Sequence, residues 1–156
     1  MAKHYSTANF RSASSIGYLV KVAHSLMLDR ATEAFLGHDL SFAQWIVLIR
    51  LKEGKEVTAS DLCRALRHDT GALTRLLDQL EERGYVARER SKEDRRVVYL
   101  QLTTAGLQKT TELTPIIVDR LNDALTDFSK AEFNELSRLL NKLIATIRAD
   151  AGGGES

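Results

Sequence analysis

Several features that mark particular protein classes are rare or missing in this chain. Its 156 residues include one cysteine, which excludes an intramolecular disulfide framework and fits a reducing compartment. No apolar run is long enough to predict a membrane-spanning helix, and no signal-peptide pattern is present. We therefore expect a soluble cytoplasmic protein with a single ordinary core.

Catalytic motifs are also missing. The sequence has no glycine-rich phosphate loop, no nucleophile elbow, no HExxH and no acid pair in a recognisable frame. The four histidines, His4, His24, His38 and His68, form no ligand-spaced pair with Cys63. We therefore predict no enzymatic activity, no cofactor and no metal ion.

Charge is balanced overall but uneven along the chain. There are 22 basic and 21 acidic residues, and the formal charge is +1. The segment from Arg83 to Arg96, however, contains six lysine or arginine residues and only three acidic residues. A basic segment on a neutral chain indicates contact with phosphates at one face only.

The segment from Thr58 to Thr103 predicts two short helices followed by a β-hairpin. Residues 58–67 begin with a capping-box-like Thr58 and Asp61, and residues 69–84 begin with Asp69 and end at Gly84. A strand-like run at 85–90, a charged turn at 91–96 and an alternating strand at 97–102 follow. This order predicts a winged helix-turn-helix, in which the second helix suits the DNA major groove and the hairpin suits the backbone or minor groove.

The sequence LTRLLDQLEERGYVARERSKEDRRVVYLQLTTAG resembles the core of the MarR family of bacterial transcription regulators. The most specific part is Asp94-Arg95-Arg96 followed by Leu100-Gln101-Leu102-Thr103, which matches the family's Asp-x-Arg and Leu-x-Leu-Thr pattern. LSFAQWIVLIRL is similar to the family's second helix, and the resemblance spans roughly residues 15–148. Thr104 stands where many members have proline, a change that costs little at a helix start.

The flanking residues predict four further helices. One runs from Ser15 to about Phe35 and one from Ser41 to Gly54. A long helix runs from Thr103 through Phe128, with a kink at Pro115, and a capping-box pattern at Ser129-Lys130-Ala131-Glu132 opens the last helix. The fold class is thus mainly α with a small β-hairpin wing. We expect one domain over 1–148, with a DNA-binding lobe at about 41–103, dimerisation helices at about 15–36 and 104–148, and a flexible tail at 149–156.

The last helix carries an apolar stripe that must be buried. Its members follow helical spacing, and Leu139 and Ile144 widen it: Phe133, Leu136, Leu140, Leu143 and Ile147. The first helix and the last two could bury this stripe within one chain. We favour burial against a second copy, because helix-turn-helix proteins commonly read two half-sites as homodimers.

The predicted DNA contacts lie on the second short helix and the wing. They are His68, Thr70, Gly71, Ala72, Thr74, Arg75, Arg90, Asp94, Arg95 and Arg96. The resemblance places Arg96 at the family's minor-groove arginine, with Asp94 supporting it through an ion pair. The alternative for Arg75 and Asp78 is a pair of solvated helix charges.

The resemblance also implies a repressor that a small phenolic or aromatic carboxylate releases from double-stranded operator DNA. The candidate ligand residues are Ser15, Tyr18, His24, Met27, Trp45, Ile49 and Arg64. They could equally be core or dimer contacts.

Three alternatives stay open. A DNA-structuring winged-helix protein would bind with low specificity. An oxidant sensor would use Cys63, although such relatives mostly carry the cysteine in the first helix, so we expect a packed, inert thiol. A metal-sensing member would use His24, Glu33 and His38 near a dimer interface.

Overall fold

A computed structural model describes residues 3–54, 58–66, 69–94 and 97–152. Over these residues it contains six α-helices, a short 3-10 turn at Ser12–Ser14 and a two-stranded antiparallel hairpin, as predicted. The elements are α1 (Ile16–Ala34), α2 (Phe42–Lys52), α3 (Ala59–Leu66), α4 (Thr70–Glu82), β1 (Val86–Arg90), β2 (Val98–Leu102), α5 (Thr104–Ala124) and α6 (Lys130–Gly152). The chain forms two compact units, Met1–Arg120 and Leu121–Ser156.

Side-chain caps set most of the helix starts. Asp69 accepts a bond from the Ala72 amide at 3.0 Å, and the Thr58 hydroxyl oxygen accepts one from the Asp61 amide at 3.1 Å. Ser41 and Gln44 form a reciprocal capping box at the start of α2. Each cap satisfies amides that have no partner within the helix, so local sequence is sufficient to place these boundaries.

The core of the first unit is built around α2, α4, the hairpin and α5. Leu73, Leu77 and Leu80 bury one face of α4 almost completely. Trp45 packs against Phe35 and Phe42, with ring centroids 6.0 Å apart in both cases, and its indole N–H donates to the carbonyl of Thr110. Because both the ring and its N–H are satisfied inside the protein, Trp45 is a core residue.

The hairpin is joined tightly to the start of α5. Thr103 donates from its hydroxyl to the Gly84 carbonyl at 2.7 Å, and its amide bonds the Tyr85 carbonyl. Gly84 has φ 71°, as the predicted left-handed helix end requires. At Gly106 a β-carbon would overlap the Tyr85 carbonyl oxygen, so only glycine permits this approach of α5 to the hairpin.

The second unit presents an exposed apolar surface on α6. Ser129 and Glu132 form the predicted capping pair at its start, with bonds of 2.8 and 3.3 Å. Phe133, Leu136 and Leu140 are each 38% exposed, and Ile147 is 56% exposed. Leu143 is half-buried. Four of the five side chains of the predicted stripe are therefore exposed to solvent in the described part of the chain.

Two predicted boundaries were wrong. Helix α5 ends at Ala124 instead of Phe128, because the next amides bond three residues back, as in Phe128 N–H to the Leu125 carbonyl. Helix α6 continues to Gly152, so residues 149–152 of the predicted tail are helical. Alanine has the highest intrinsic helix propensity, and Ala149 extends the helix at an exposed position. Residues 153–156 lie outside the described part of the chain.

Asp39, in the loop between α1 and α2, connects three segments of the first unit. Its carboxylate accepts a bond from the Tyr85 hydroxyl at 3.2 Å and lies 3.3 Å from the Lys109 ammonium on α5. Its carbonyl accepts a bond from the Arg83 guanidinium at the end of α4. Partial burial by itself would raise the pKa of Asp39, but the bonds from Lys109 and Tyr85 outweigh it and lower that pKa.

We predict that Asp39→Asn lowers the free energy of unfolding near neutral pH. Since the folded-state pKa of Asp39 is depressed, the carboxylate stabilises the fold above its unfolded-state pKa of about 3.9, and this contribution is lost as the pH falls through the folded value. Urea unfolding at about pH 7 and about pH 3 measures this. The difference from wild type should be larger at the higher pH than at the lower, where protonation removes part of the contribution. Glu82→Gln, at an exposed position on α4 outside the proposed dimerisation helices, is the control; equal effects of the two variants at neutral pH would contradict the prediction.

Candidate nucleic-acid interface

Helix α4 is amphipathic, with one buried apolar face and one exposed polar face. The leucines at 73, 77 and 80 anchor it in the core, while the predicted contact residues of its first two turns are all exposed. These are Thr70, Gly71, Ala72, Thr74 and Arg75. The structure therefore places five of the sequence-predicted residues at the exposed start of one helix.

Most of the exposed side chains at the start of α4 are small, and one of them is held by a hydrogen bond within the helix. The Thr74 hydroxyl donates to the Thr70 carbonyl at 2.8 Å, which leaves its oxygen lone pairs available as acceptors. A β-carbon at Gly71 would lie 3.2 Å from the Asp69 carboxylate that caps the helix. Small side chains here permit a close approach to a groove of DNA, and Arg75 supplies the long donor.

The β1–β2 hairpin is the predicted wing. Val86 pairs with Leu102, Arg88 with Leu100 and Arg90 with Val98. Arg90 is exposed at the end of β1, next to the turn that contains Asp94. Arg95 and Arg96, and likewise His68 before α4, lie outside the described residues.

Ser91 organises the turn and was missed by the sequence analysis. It is 9% exposed, and its hydroxyl oxygen accepts bonds from the Glu93 and Asp94 amides, both at 3.2 Å. The Ser91 amide donates to the Val97 carbonyl. A serine that opens a polar turn is the signal that would have indicated this role.

Two arginines of the basic segment bind other residues of the first unit. Arg83 bonds the Asp39 carbonyl, and Arg88 forms ion pairs with Asp78 at 2.7 Å and Glu81 at 2.9 Å. The described basic side chains that remain exposed at the wing are Arg90 and Lys92. Sequence spacing does not predict the ion pairs of Arg88, because Arg88 is on a strand and its two acidic partners are on a helix.

The candidate ligand residues occupy different settings. Ser15 caps α1 by accepting a bond from the Tyr18 amide at 3.3 Å, and Arg64 pairs with Asp61 at 2.6 Å on α3. Trp45 is buried as described above. The others are exposed on α1 or half-buried on α2: Tyr18, His24, Met27 and Ile49.

Metal binding finds no support in the described part of the chain. Its histidine, cysteine, aspartate and glutamate side chains form no group of three or more that could hold an ion, and this includes His24, Glu33 and His38. Cys63 is half-buried, with its sulfur 4.0 Å from the Thr70 hydroxyl. None of the helices in the same described ranges has the length and apolar character of a membrane span.

Comparison with known proteins agrees with this geometry. A sequence profile described as MarR family matches residues 38–97. The multiple antibiotic resistance protein MarR of Escherichia coli (strain K12) is 30% identical over 86% of this chain and 94% of its own length. The HTH-type transcriptional regulator PecS of Dickeya dadantii is 32% identical over 82% of this chain and 78% of its own length.

Solved structures show the same similarity in three dimensions. The crystal structure of apo wild-type MarR from E. coli has a TM-score of 0.72 and 28% identity, and covers 83% of this chain and 96% of that one. A mutant MarR from E. coli complexed with operator DNA also has a TM-score of 0.72 and 28% identity, covering 82% and 92%. The described fold, the exposed helix and wing, and these relatives together show that the chain belongs to the MarR family of transcriptional regulators.

Proposed function

We propose that this protein is a sequence-specific, homodimeric repressor that binds a pseudo-palindromic operator and is released by a small aromatic acid or phenol. The observation that carries the DNA-binding part is the exposed, small-residue start of α4 in the same compact unit as a basic hairpin. The relative solved with operator DNA supports it.

In this proposal α4 enters the major groove. Thr70, Gly71, Ala72 and Thr74 allow the helix backbone to come close, and Arg75 donates to a guanine edge or a phosphate. The wing reaches the flanking minor groove through Arg90, Arg95 and Arg96, with Asp94 supporting Arg96. His68 contacts a phosphate before the helix. Phosphate contacts position the protein, whereas the contacts of α4 to base edges supply the specificity.

Two copies are required to read both half-sites. We place the DNA-binding lobe at about 41–103 and the dimerisation helices at about 15–36 and 104–148, within one domain over 1–148. The exposed apolar side chains of α6 support this assignment, since isolated exposure of so many large side chains is unfavourable in water. The dimer holds the two copies of α4 about 34–36 Å apart, one turn of DNA.

The effector acts by preferring one arrangement of the dimer over another. Aromatic carboxylates suit a pocket with an apolar wall and a few polar handles, which Tyr18, His24, Met27 and Ile49 would supply, with Ser15 and Arg64. Trp45, being buried, would form the inner wall of such a pocket. A ligand bound more tightly to the arrangement with unsuitable half-site spacing lowers the affinity for DNA without touching it.

DNA recognition is tested with Arg75→Ala and Arg96→Ala. We expect Arg75→Ala to cost about 1–3 kcal/mol in operator binding and to relax discrimination at one base pair.

We expect Arg96→Ala to weaken binding and to reduce the salt dependence by about one counterion. Fluorescence anisotropy over a salt series measures both, with the exposed Arg138→Ala on α6 as control. Uniform coating of unrelated DNA by the wild type would instead indicate a DNA-structuring protein.

Dimerisation is tested with Leu140→Asp. This change places a charge in the proposed apolar seam, and we expect monomers or unfolded chains because burial of an unpaired carboxylate is costly. Asn134→Asp, at an exposed position on the same helix, should leave the dimer intact. Analytical ultracentrifugation gives the mass of each protein at micromolar concentration. A well-folded wild-type monomer would rule out an obligate dimer.

Effector release is tested with a panel of hydroxybenzoic acids. A ligand that releases operator DNA should change Trp45 fluorescence over the same concentration range, because Trp45 would form the pocket wall. His24→Ala should weaken that response, since it removes a polar handle for the carboxylate. The exposed His4→Ala is the matched control. A releasing acid that leaves Trp45 emission unchanged and binds His24→Ala undiminished would exclude this location.

A further inference from the structure

We infer that Arg88 is a positioning residue that holds the wing at a set angle to the recognition helix α4 and does not itself contact DNA. The inference rests on the proposed function. It concerns the relative orientation of the two elements that are proposed to contact DNA, α4 and the wing. It assigns the same task to the two acids of α4 that Arg88 binds, Asp78 and Glu81.

The hairpin register turns Arg88 towards the core side of the sheet. Arg88 pairs directly with Leu100, and Val86 pairs with Leu102, so these side chains share one face. Val86 and Leu100 are buried on that face, whereas Glu89 and Tyr99, one residue along each strand, are exposed on the other. The Arg88 side chain therefore lies on the same face of the hairpin as Val86 and Leu100, and its ion-pair partners are on α4.

The guanidinium bridges two turns of α4 at once. One terminal nitrogen lies 2.7 Å from the Asp78 carboxylate, and the other lies 2.9 Å from the Glu81 carboxylate. These acids are three residues apart, so they stand on one face of the helix. A planar group with donors in fixed directions specifies distance and angle together, which a single ammonium cannot do.

The ion pairs of Arg88 with Asp78 and Glu81 add a polar attachment between α4 and β1, two elements that follow each other closely in the chain and share the core of the first unit. Helix α4 ends at Glu82, Gly84 has a positive φ, and β1 begins at Val86. Asp78 lies one helical turn beyond Thr74 and Arg75, at the C-terminal end of the proposed reading surface. Arg88 thus ties the strand that leads to the wing tip to the helix that bears Arg75.

The charge of this group makes its role measurable. One guanidinium and two carboxylates together carry a net negative charge, which opposes the approach of phosphates. If these residues acted only through charge, removing the acids would strengthen DNA binding. If they hold the wing in position, removing the same acids weakens it.

The decisive variant is Asp78→Asn with Glu81→Gln, tested on a duplex that the wild type selects from a random-sequence pool. We expect affinity to fall by about threefold to tenfold although two negative charges are lost. The matched control is Glu82→Gln with Glu93→Gln, two exposed acids on α4 and in the wing turn. This control changes the net charge equally and should bind as tightly as wild type or more tightly.

A second variant, Arg88→Lys, keeps the charge and loses the two-pronged geometry. It should also weaken binding, with an unchanged dimer by ultracentrifugation. Hydroxyl-radical footprinting supplies a readout that general destabilisation would not reproduce. Protection of the flanking minor grooves by the wings should decrease selectively, while protection at the major-groove half-sites is retained.

The outcomes separate this inference from the proposed function. Tighter binding by the Asp78/Glu81 variant together with wild-type affinity of Arg88→Lys overturns the positioning role and leaves the repressor proposal intact. Equal loss of protection at the flanks and the half-sites also overturns it. A wild-type protein that selects no sequence from the pool contradicts the proposed function itself, and the positioning role with it. Should the double variant fail to fold, Arg88→Lys and its footprint decide the question.

Discussion

The burial of one face of α4 is the constraint on which the DNA-binding unit depends. Leu73, Leu77 and Leu80 are almost completely removed from water, and each contributes on the order of 1.5–3 kcal/mol of burial free energy. Because a helix cannot rotate without exposing this face, the direction of Thr74 and Arg75 follows from the position of the leucines. The hydrophobic core thus orients the proposed reading surface, although no core residue contacts DNA.

Ionic contacts refine what the core establishes. Asp39 links the α1–α2 loop to the end of α4 and to α5, and Arg88 links β1 to α4. Each such partly exposed pair contributes at most about 1 kcal/mol to stability. The pairs also connect segments that are distant in the sequence. The exposed apolar stripe of α6 belongs to the other unit and serves the proposed dimer.

Local signals predicted the elements well. Caps at Ser41, Asp69 and Ser129 and the left-handed Gly84 act through neighbouring residues, so the sequence contains all the information they need. The two errors were also local in origin. The end of α5 depended on a change to three-residue hydrogen bonding, and the end of α6 on the helix propensity of alanines in a segment interpreted as a tail.

The sequence by itself determined the family, the order of helices and hairpin, and the exposed residues at the start of α4, because these depend on periodicity, capping and a specific motif. Tertiary structure decided which charges face solvent. Arg88, counted with the basic segment, turns inward to Asp78 and Glu81, and Trp45 is satisfied inside the core. Both outcomes depend on contacts between residues distant in sequence, and no local pattern encodes the distance or angle between a strand and a helix.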